Sequence, residues 1–264
     1  MSYPHRPNGS SLARSYQQMP SSQWSARRPT VSQPITQVMR RYEALALAPN
    51  GDLIEVVQNA PSHACFESAF TAIARGTIMA TEDGPVAIED LLPGMKVETR
   101  DAGYQPLMWV GSTMLSQQKP LSNMPARLFR VPVDSFGPSR PMPDLMLAPN
   151  ARLLHRSPKL LEVRNDDAAL TPIVAFEDGY SVIRVAPVSP VGVYHVAFRD
   201  HQILRANGLE IESYHPGFEV TKHIGGESLR QFLSLFPHIE SLADFGPLVA
   251  HRLSVEEYES VVAA

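Results

Sequence analysis

Residues 74–111 read ARGTIMATEDGPVAIEDLLPGMKVETRDAGYQPLMWVG, and their punctuation decides the fold class. Short apolar or alternating runs such as TIMAT and KVET are separated by Glu82-Asp83-Gly84 and Pro93-Gly94, residue types that set the dihedrals of tight turns. Runs this short, broken this often, cannot complete a helix and predict strands. Only Ile88 to Leu91 reads as a single helical turn. Trp109 and Val110 are expected to end a strand, with the indole packed in the core.

The pattern continues on both sides. Upstream, YEALALAPNGDLIEVVQ (Tyr42 to Gln58) alternates around Pro49-Asn50-Gly51-Asp52, and Asn-Gly takes the positive φ of a tight hairpin turn. From Ser62 to Ala74 the chain is apolar without a clear period, and Cys65 there reads as a small buried hydrophobe rather than a reactive thiol. Downstream, Arg127 to Val131 predicts a strand and Ser135 to Asp144 a loop. Leu145 to His155 predicts two strands about a turn at Pro149-Asn150, and Glu162 to Asp167 a surface turn. Ser181 to Gly217 resumes the strand pattern, with a second hairpin turn at Asn207-Gly208. Beyond it the periods change. Leu229, Phe232, Leu233 and Phe236 fall on one helix face, and Ser254 with Glu257 three residues on is a capping box for a terminal helix.

Composition bounds the partners. With 44% hydrophobic and 19% charged residues among 264, the chain can bury a core. Residues 1 to 41 carry six Arg and no acid, although the whole chain has a formal charge of -4, so the head is basic and the body acidic. Rich in Pro, Ser, Gln and Asn, that tail cannot offset its ordering entropy by burial and is expected to be disordered. Its arginines are too dispersed to signal nucleic-acid or membrane binding. Deleting residues 1 to 36 should therefore leave thermal stability within about 0.5 kcal/mol of the full chain. A melting temperature several degrees lower would show that the tail docks. A single cysteine excludes an intrachain disulfide and a Cys-cluster metal site. The first forty residues lack a signal-peptide apolar run and no stretch is long and apolar enough to span a bilayer, so a soluble, cytoplasmic protein is the default. No cofactor is expected, and a protein partner is the kind left open.

Three segments together resemble the Hint superfamily, the module shared by hedgehog autoprocessing domains, inteins and a set of bacterial proteins. Residues 74–111 resemble its opening block, VYHVAFRDHQILRANGLEIESYHPG (193–217) its closing block, and SFGPSRPMPDLMLAPNARLLH (135–155) the middle block of the bacterial branch. The resemblance implies a mainly β fold, a horseshoe-like Hint module whose end blocks meet at its centre. On this reading residues 1–36 are the tail, 37–69 a hairpin and linker, 70–217 the Hint domain, and 218–264 a helical extension.

Active members of the family turn a peptide bond into an ester or thioester by attack of a side-chain nucleophile on the preceding carbonyl. Such a site must also protonate the leaving nitrogen and stabilise the oxyanion. The resemblance places the nucleophile four residues before the Gly76-Thr77 pair, where this chain has Ala72. It places the middle-block histidine at Ala151, and where splicing members end in His-Asn this chain has Glu212-Ser213. Three departures on three roles imply a fold kept without its chemistry, a silent binding or structural module rather than an enzyme. The alternative is self-processing by a substitute nucleophile, Thr71, Thr77 or Cys65. His195 and His201, six apart, would share a face on one strand, with Asp200 adjacent and His155 the only further candidate ligand. Lacking a fourth ligand, they are expected to pack with their nitrogens on backbone carbonyls rather than to hold a metal.

Overall fold

The computed structural model describes residues 38–116, 126–164, 166–217 and 220–263. The expected disordered tail, and the polar stretch after Ser116, lie outside the described residues. In chain order the strands begin with β1 (Met39–Leu47) and β2 (Leu53–Pro61), followed by helix α1 (Ala64–Phe70). Next come β3 (Ile73–Ala74), β4 (Ile78–Thr81), β5 (Gly84–Ala87), a 3-10 turn at Ile88–Asp90, β6 (Lys96–Thr99), β7 (Gly103–Pro106) and β8 (Trp109–Leu115). The middle holds β9 (Leu128–Val131), β10 (Leu145–Leu147), β11 (Arg152–Arg156), helix α2 (Pro158–Arg164) and β12 (Ala168–Pro172). Then follow β13 (Ile183–Val185), β14 (Val191–Ala197), β15 (Ile203–Ala206) and β16 (Leu209–Glu212), and the chain finishes with α3 (Val220–His223), α4 (Gly226–Leu233) and α5 (Val255–Ala263).

The architecture is mainly β, as the turn punctuation requires. One eight-stranded sheet runs β13-β9-β10-β3-β14-β8-β1-β2; the other runs β12-β11-β16-β15-β4-β6-β7, with β5 hydrogen-bonded to β4. The opening and closing blocks meet in the second sheet, where Ala206 pairs with Met79. Asn207 fixes the join: its backbone N–H donates to the Ile78 carbonyl at 3.0 Å, and its side-chain oxygen accepts from the Ile78 N–H at 2.8 Å. Asn207 and Gly208 have φ of 47° and 88°, the left-handed pair of a tight hairpin turn. At Gly208 a Cβ would also stand 2.7 Å from the Ser139 carbonyl oxygen, so glycine is required there on two counts.

Three local expectations change. The segment after Ser62 is α1, whose Cys65, Phe66, Ala69 and Phe70 are all buried. Glu162 lies in α2 rather than in a surface turn. Trp109 starts a strand instead of ending one, because the chain leaves β7 in the second sheet and enters β8 in the first, with Leu107 and Met108 as the crossing.

Two large cores, with three smaller clusters beside them among the described residues, hold these layers. The larger joins Ile73, Met79, Val97, Leu147, Val196, Leu204 and Ile211, contributed by both sheets. The second is aromatic: Tyr42, Phe66, Phe70, Trp109 and Tyr214 pack with Phe232, Phe236 and Phe245 from the C-terminal segment. Trp109 stacks on Phe236 at 4.7 Å, and its indole N–H donates to the Leu235 carbonyl at 2.7 Å. Its ring folds over Gly111, where a Cβ would lie 2.0 Å from the indole, so only glycine admits this approach. The hairpin before α1 and the helices α3 and α4 thus share a core with the strands between them, while α5 packs on Leu160 and Ala169 in a cluster of its own. Among the described residues no helix is long and apolar enough to cross a membrane.

Candidate functional site

The site grows from the C-terminus of α1. Thr71 caps that helix: its N–H and its hydroxyl both donate to the Glu67 carbonyl, at 3.0 and 2.8 Å. The turn Pro149-Asn150 then reaches across from between β10 and β11. The Asn150 N–H donates to the Thr71 carbonyl at 3.1 Å, and its side-chain amide donates to the Thr71 hydroxyl at 2.6 Å. Ala72 is held from both sides. Its N–H donates to the Tyr194 carbonyl at 3.2 Å and its own carbonyl accepts from the Ala148 N–H at 2.8 Å. Ala72 and Ala151 are both fully buried in the larger core. The Thr71–Ala72 peptide bond is therefore clamped by backbone groups, with a methyl on the carbon after its nitrogen.

The other hydroxyls and the thiol are committed or shielded. Thr77 is buried and donates to the Ala74 carbonyl at 2.8 Å. Cys65 lies in the aromatic core, where burial pushes its thiol above the ordinary value. Each threonine proton thus points at a backbone carbonyl, which cannot accept it in a reaction.

The histidines separate. His195 is on β14, and its Nδ1 faces the Ser68 carbonyl at 3.1 Å, so that nitrogen carries the proton. Its Nε2 is buried and has no hydrogen bond with a described residue. Burial lowers the ring to about 4, against a partial opposing pull from the Ser68 carbonyl and from Glu212, so His195 is neutral at pH 7. Tyr214 lies edge-on to it with centroids 5.2 Å apart. His201 is not on the same strand, since β14 ends at Ala197, and the shared face foreseen for the pair does not form. Its Nδ1 accepts from the Val249 N–H at 3.1 Å, and its Nε2 lies 3.1 Å from a Glu212 carboxylate oxygen without an aligned hydrogen bond. His155 stands against Phe176 and Tyr258. No group of three or more His, Cys, Asp or Glu able to hold a metal occurs among the described residues.

Sequence reading passed over the cluster that organises this region. Glu212, at the end of β16 and 3% exposed, accepts from Arg252 Nε at 2.7 Å and lies 3.1 Å from His201 Nε2, while Arg152 Nε lies 3.7 Å from its other oxygen. Burial alone would raise this carboxyl, but Arg252 and His201 outweigh it and hold it at about 2. Arg252 also donates through Nη2 to the His215 carbonyl at 2.8 Å. The His215 ring is saturated, with Nδ1 accepting from the Gly217 N–H and Nε2 donating to the Gly246 carbonyl, each at 2.9 Å. The only sequence signal was an acid in the position the resemblance reserves for the histidine of the closing His-Asn pair. Its partners lie 40 and 60 residues away, beyond the reach of spacing rules.

Between these groups and the segment Leu248 to Glu257 opens a cavity of about 970 Å³. Asn150, His195, Glu212 and Tyr214 line one side, Leu248, Arg252, Leu253 and Val255 the other.

Residues 71–218 match the Hint domain family, more than half the chain, and the chain belongs to that family. Among solved structures it is similar to a splice-inactive variant of the AceL NrdHF class 3 split intein, with 11% identity, 54% of this chain and 97% of that chain covered, and a TM-score of 0.38. It is also similar to the bacterial intein-like domain from Clostridium thermocellum, with 12% identity, 55% and 99% coverage, and a TM-score of 0.36. No curated protein matches the chain.

Proposed function

We propose that this Hint-family chain is a binding or structural module that has given up self-processing chemistry. The observation that carries the reading is Ala72: a buried methyl stands where attack would begin, on a peptide bond whose N–H and carbonyl are both taken by backbone partners. Ala151, equally buried, offers no proton to the leaving nitrogen. The shared aromatic core supports the same reading, because the segments on either side of residues 70–217 are built into it rather than appended for release.

Self-cleavage by Thr71, Thr77 or Cys65 is the alternative, favoured by the neutral His195, whose buried Nε2 has no hydrogen-bond partner among the described residues. Intact mass decides between them. The wild-type chain should stay at its full 29.1 kDa in thiol and in hydroxylamine. Fragments breaking near residue 72 that vanish on Thr71→Ala, Thr77→Ala or Cys65→Ala would establish the alternative. Ala72→Cys alone should cleave slowly or not at all, since a missing general acid costs about 10² to 10⁴ in rate. Adding Ala151→His should make hydroxylamine cleavage measurably faster.

A further inference from the structure

We infer that the cavity walled by Phe136, Phe176 and Tyr258 is a binding site for an alkylated ammonium cation, of the kind carried by a choline-type small molecule or by a methylated lysine side chain. It shares no lining residue with the cavity beside Glu212. The inference adds a ligand to the reading of the chain as a binding module and does not depend on the chemistry at Ala72.

Three segments build the walls. Phe136 comes from the loop after β9, Phe176 from the end of the 3-10 turn Ile173–Phe176, and Tyr258 from α5, with Val262 one helical turn further on the same face. All three rings are half-buried. Phe176 meets Phe136 at 5.5 Å and 80°, and Tyr258 at 4.9 Å and 56°. Rings set at such angles form a corner rather than a stack, so more than one can turn its electron-rich face to a single centre. His155 stands against Phe176 and Tyr258, and burial lowers it below the ordinary 6.5, so it brings no charge at pH 7.

The walls are held in place without a ligand. The Phe136 N–H donates to the Arg140 carbonyl at 2.8 Å, and the Ser135 hydroxyl donates to the Pro132 carbonyl at 2.7 Å. Beyond Phe176, one oxygen of Asp178 accepts from the N–H groups of Tyr180, Ser181 and Val182 at 2.8, 2.7 and 3.1 Å, which fixes that loop. Little ordering is left for binding to impose.

The charges select a cation. Glu177, Asp178 and Glu259 line the cavity, and among the described residues no Lys or Arg does. Two cations bond to lining residues: Arg184 Nε donates to Glu177 at 2.9 Å and Lys159 Nζ to the Val262 carbonyl at 2.9 Å. Three carboxylates against these two cations leave a negative balance. The Tyr180 and Val182 N–H groups hold Asp178 at about 2, so it is ionised, and after burial its charge is the next cause that raises the Tyr258 hydroxyl. Its field thus reaches the aromatic wall. With Glu177 taken by Arg184 and Asp178 by backbone N–H groups, the cavity offers a ligand mainly ring faces and negative potential. That suits an ammonium whose charge is spread over alkyl groups better than a guanidinium or a bare ammonium, whose N–H groups each need an acceptor. A volume of about 480 Å³ takes such a headgroup with part of its chain.

The test is calorimetric titration of the full chain with choline, with neohexanol, its neutral isostere bearing carbon in place of the nitrogen, and with acetyl-trimethyllysine amide. Choline should bind, and neohexanol at least about ten-fold more weakly, since it fills the same space without the charge. A trimethyllysine peptide as tight as choline or tighter would assign the site to modified polypeptides; choline binding alone would assign it to small molecules. Phe136→Leu keeps apolar bulk and removes one ring face, so it should weaken choline about three-fold or more and leave neohexanol unchanged. If that variant unfolds, the choline against neohexanol comparison in the wild type decides. Equal affinity for choline and neohexanol, no binding of either ammonium at millimolar concentration, or a folded Phe136→Leu variant that binds choline as the wild type does overturns the inference. The mass experiment is separate, because an intact or a cleaved chain leaves each of these outcomes open.

Discussion

A chain ending at Gly217 should fail to fold cooperatively. The cut falls at the end of the family match, where a domain boundary would be drawn from sequence, yet it removes Phe232, Phe236 and Phe245 from the core that also holds Tyr42, Phe66, Phe70 and Trp109. Each buried Phe contributes roughly 1.5–3 kcal/mol from area alone, so the three together supply about 5–9 kcal/mol. A domain of this size has a total stability of only about 5–15 kcal/mol. The truncation also removes Arg252 and leaves Glu212 buried without its nearest cation. The measurement is a thermal melt followed by near-ultraviolet circular dichroism, with dye binding as a report of exposed apolar surface. A cooperative transition within a few degrees of the full chain would show that the helices are dispensable. Phe236→Ala is the graded control, with an expected cost of about 3–5 kcal/mol.

The sequence disclosed what local chemistry determines. Asn50-Gly51 and Asn207-Gly208 both sit in hairpin turns; at the second both residues take positive φ, as read, whereas at the first Gly51 alone does, at 88°. Ser254 and Glu257 close their capping box, with the Glu257 carboxylate accepting from the Ser254 N–H at 2.8 Å. Helix α1 was missed because it is short and its N-cap is His63, a residue outside the usual capping set, whose Nδ1 accepts from the Cys65 N–H. Its buried positions 65, 66, 69 and 70 do have helical spacing, but two turns are too few to stand out. Helix α2 carried a readable start in Ser157-Pro158, a polar cap followed by a residue whose missing N–H costs nothing in the first turn; the charges after it suggested a turn instead.

The site divided along the same line. Vacant positions could be read, because Ala72 and Ala151 are identities at places fixed by motif. What fills the space could not. His195 and Ser68 come together through pairing of β14 with β3 beside α1, at a sequence separation of 127. Glu212, Arg152 and Arg252 converge from β16, β11 and the segment before α5. Spacing rules describe one strand or one helix face, and no rule of that kind links three elements in a cluster.

Arg252→Met should cost about 3–5 kcal/mol, the range for stranding one partner of a buried ion pair, and lower the melting temperature by on the order of 10 °C. Glu212 is what makes the loss large: its side chain is 4% exposed, and desolvation would neutralise it were Arg252 not 2.7 Å away. Replacing both charges, Arg252→Met with Glu212→Gln, should recover most of the loss, because no uncompensated buried charge is then left behind. A double variant as unstable as the single one would show that Arg252 acts through packing and its bond to the His215 carbonyl. Acid titration gives an independent reading of the same cluster. His195 and His215 are held neutral in the fold, at about 4 against about 6.5 for a free His. The unfolded chain takes up their protons first, so stability is full above about pH 6.5 and declines toward pH 4. Glu212, at about 2 against about 4.3 unfolded, adds stability that is full above about pH 4.3 and is lost as pH falls toward 2. Urea midpoints measured across pH should therefore fall in two successive phases in the wild type. The double variant should keep the upper, histidine phase and have a shallower lower one, while an unchanged lower phase would remove Glu212 as its cause.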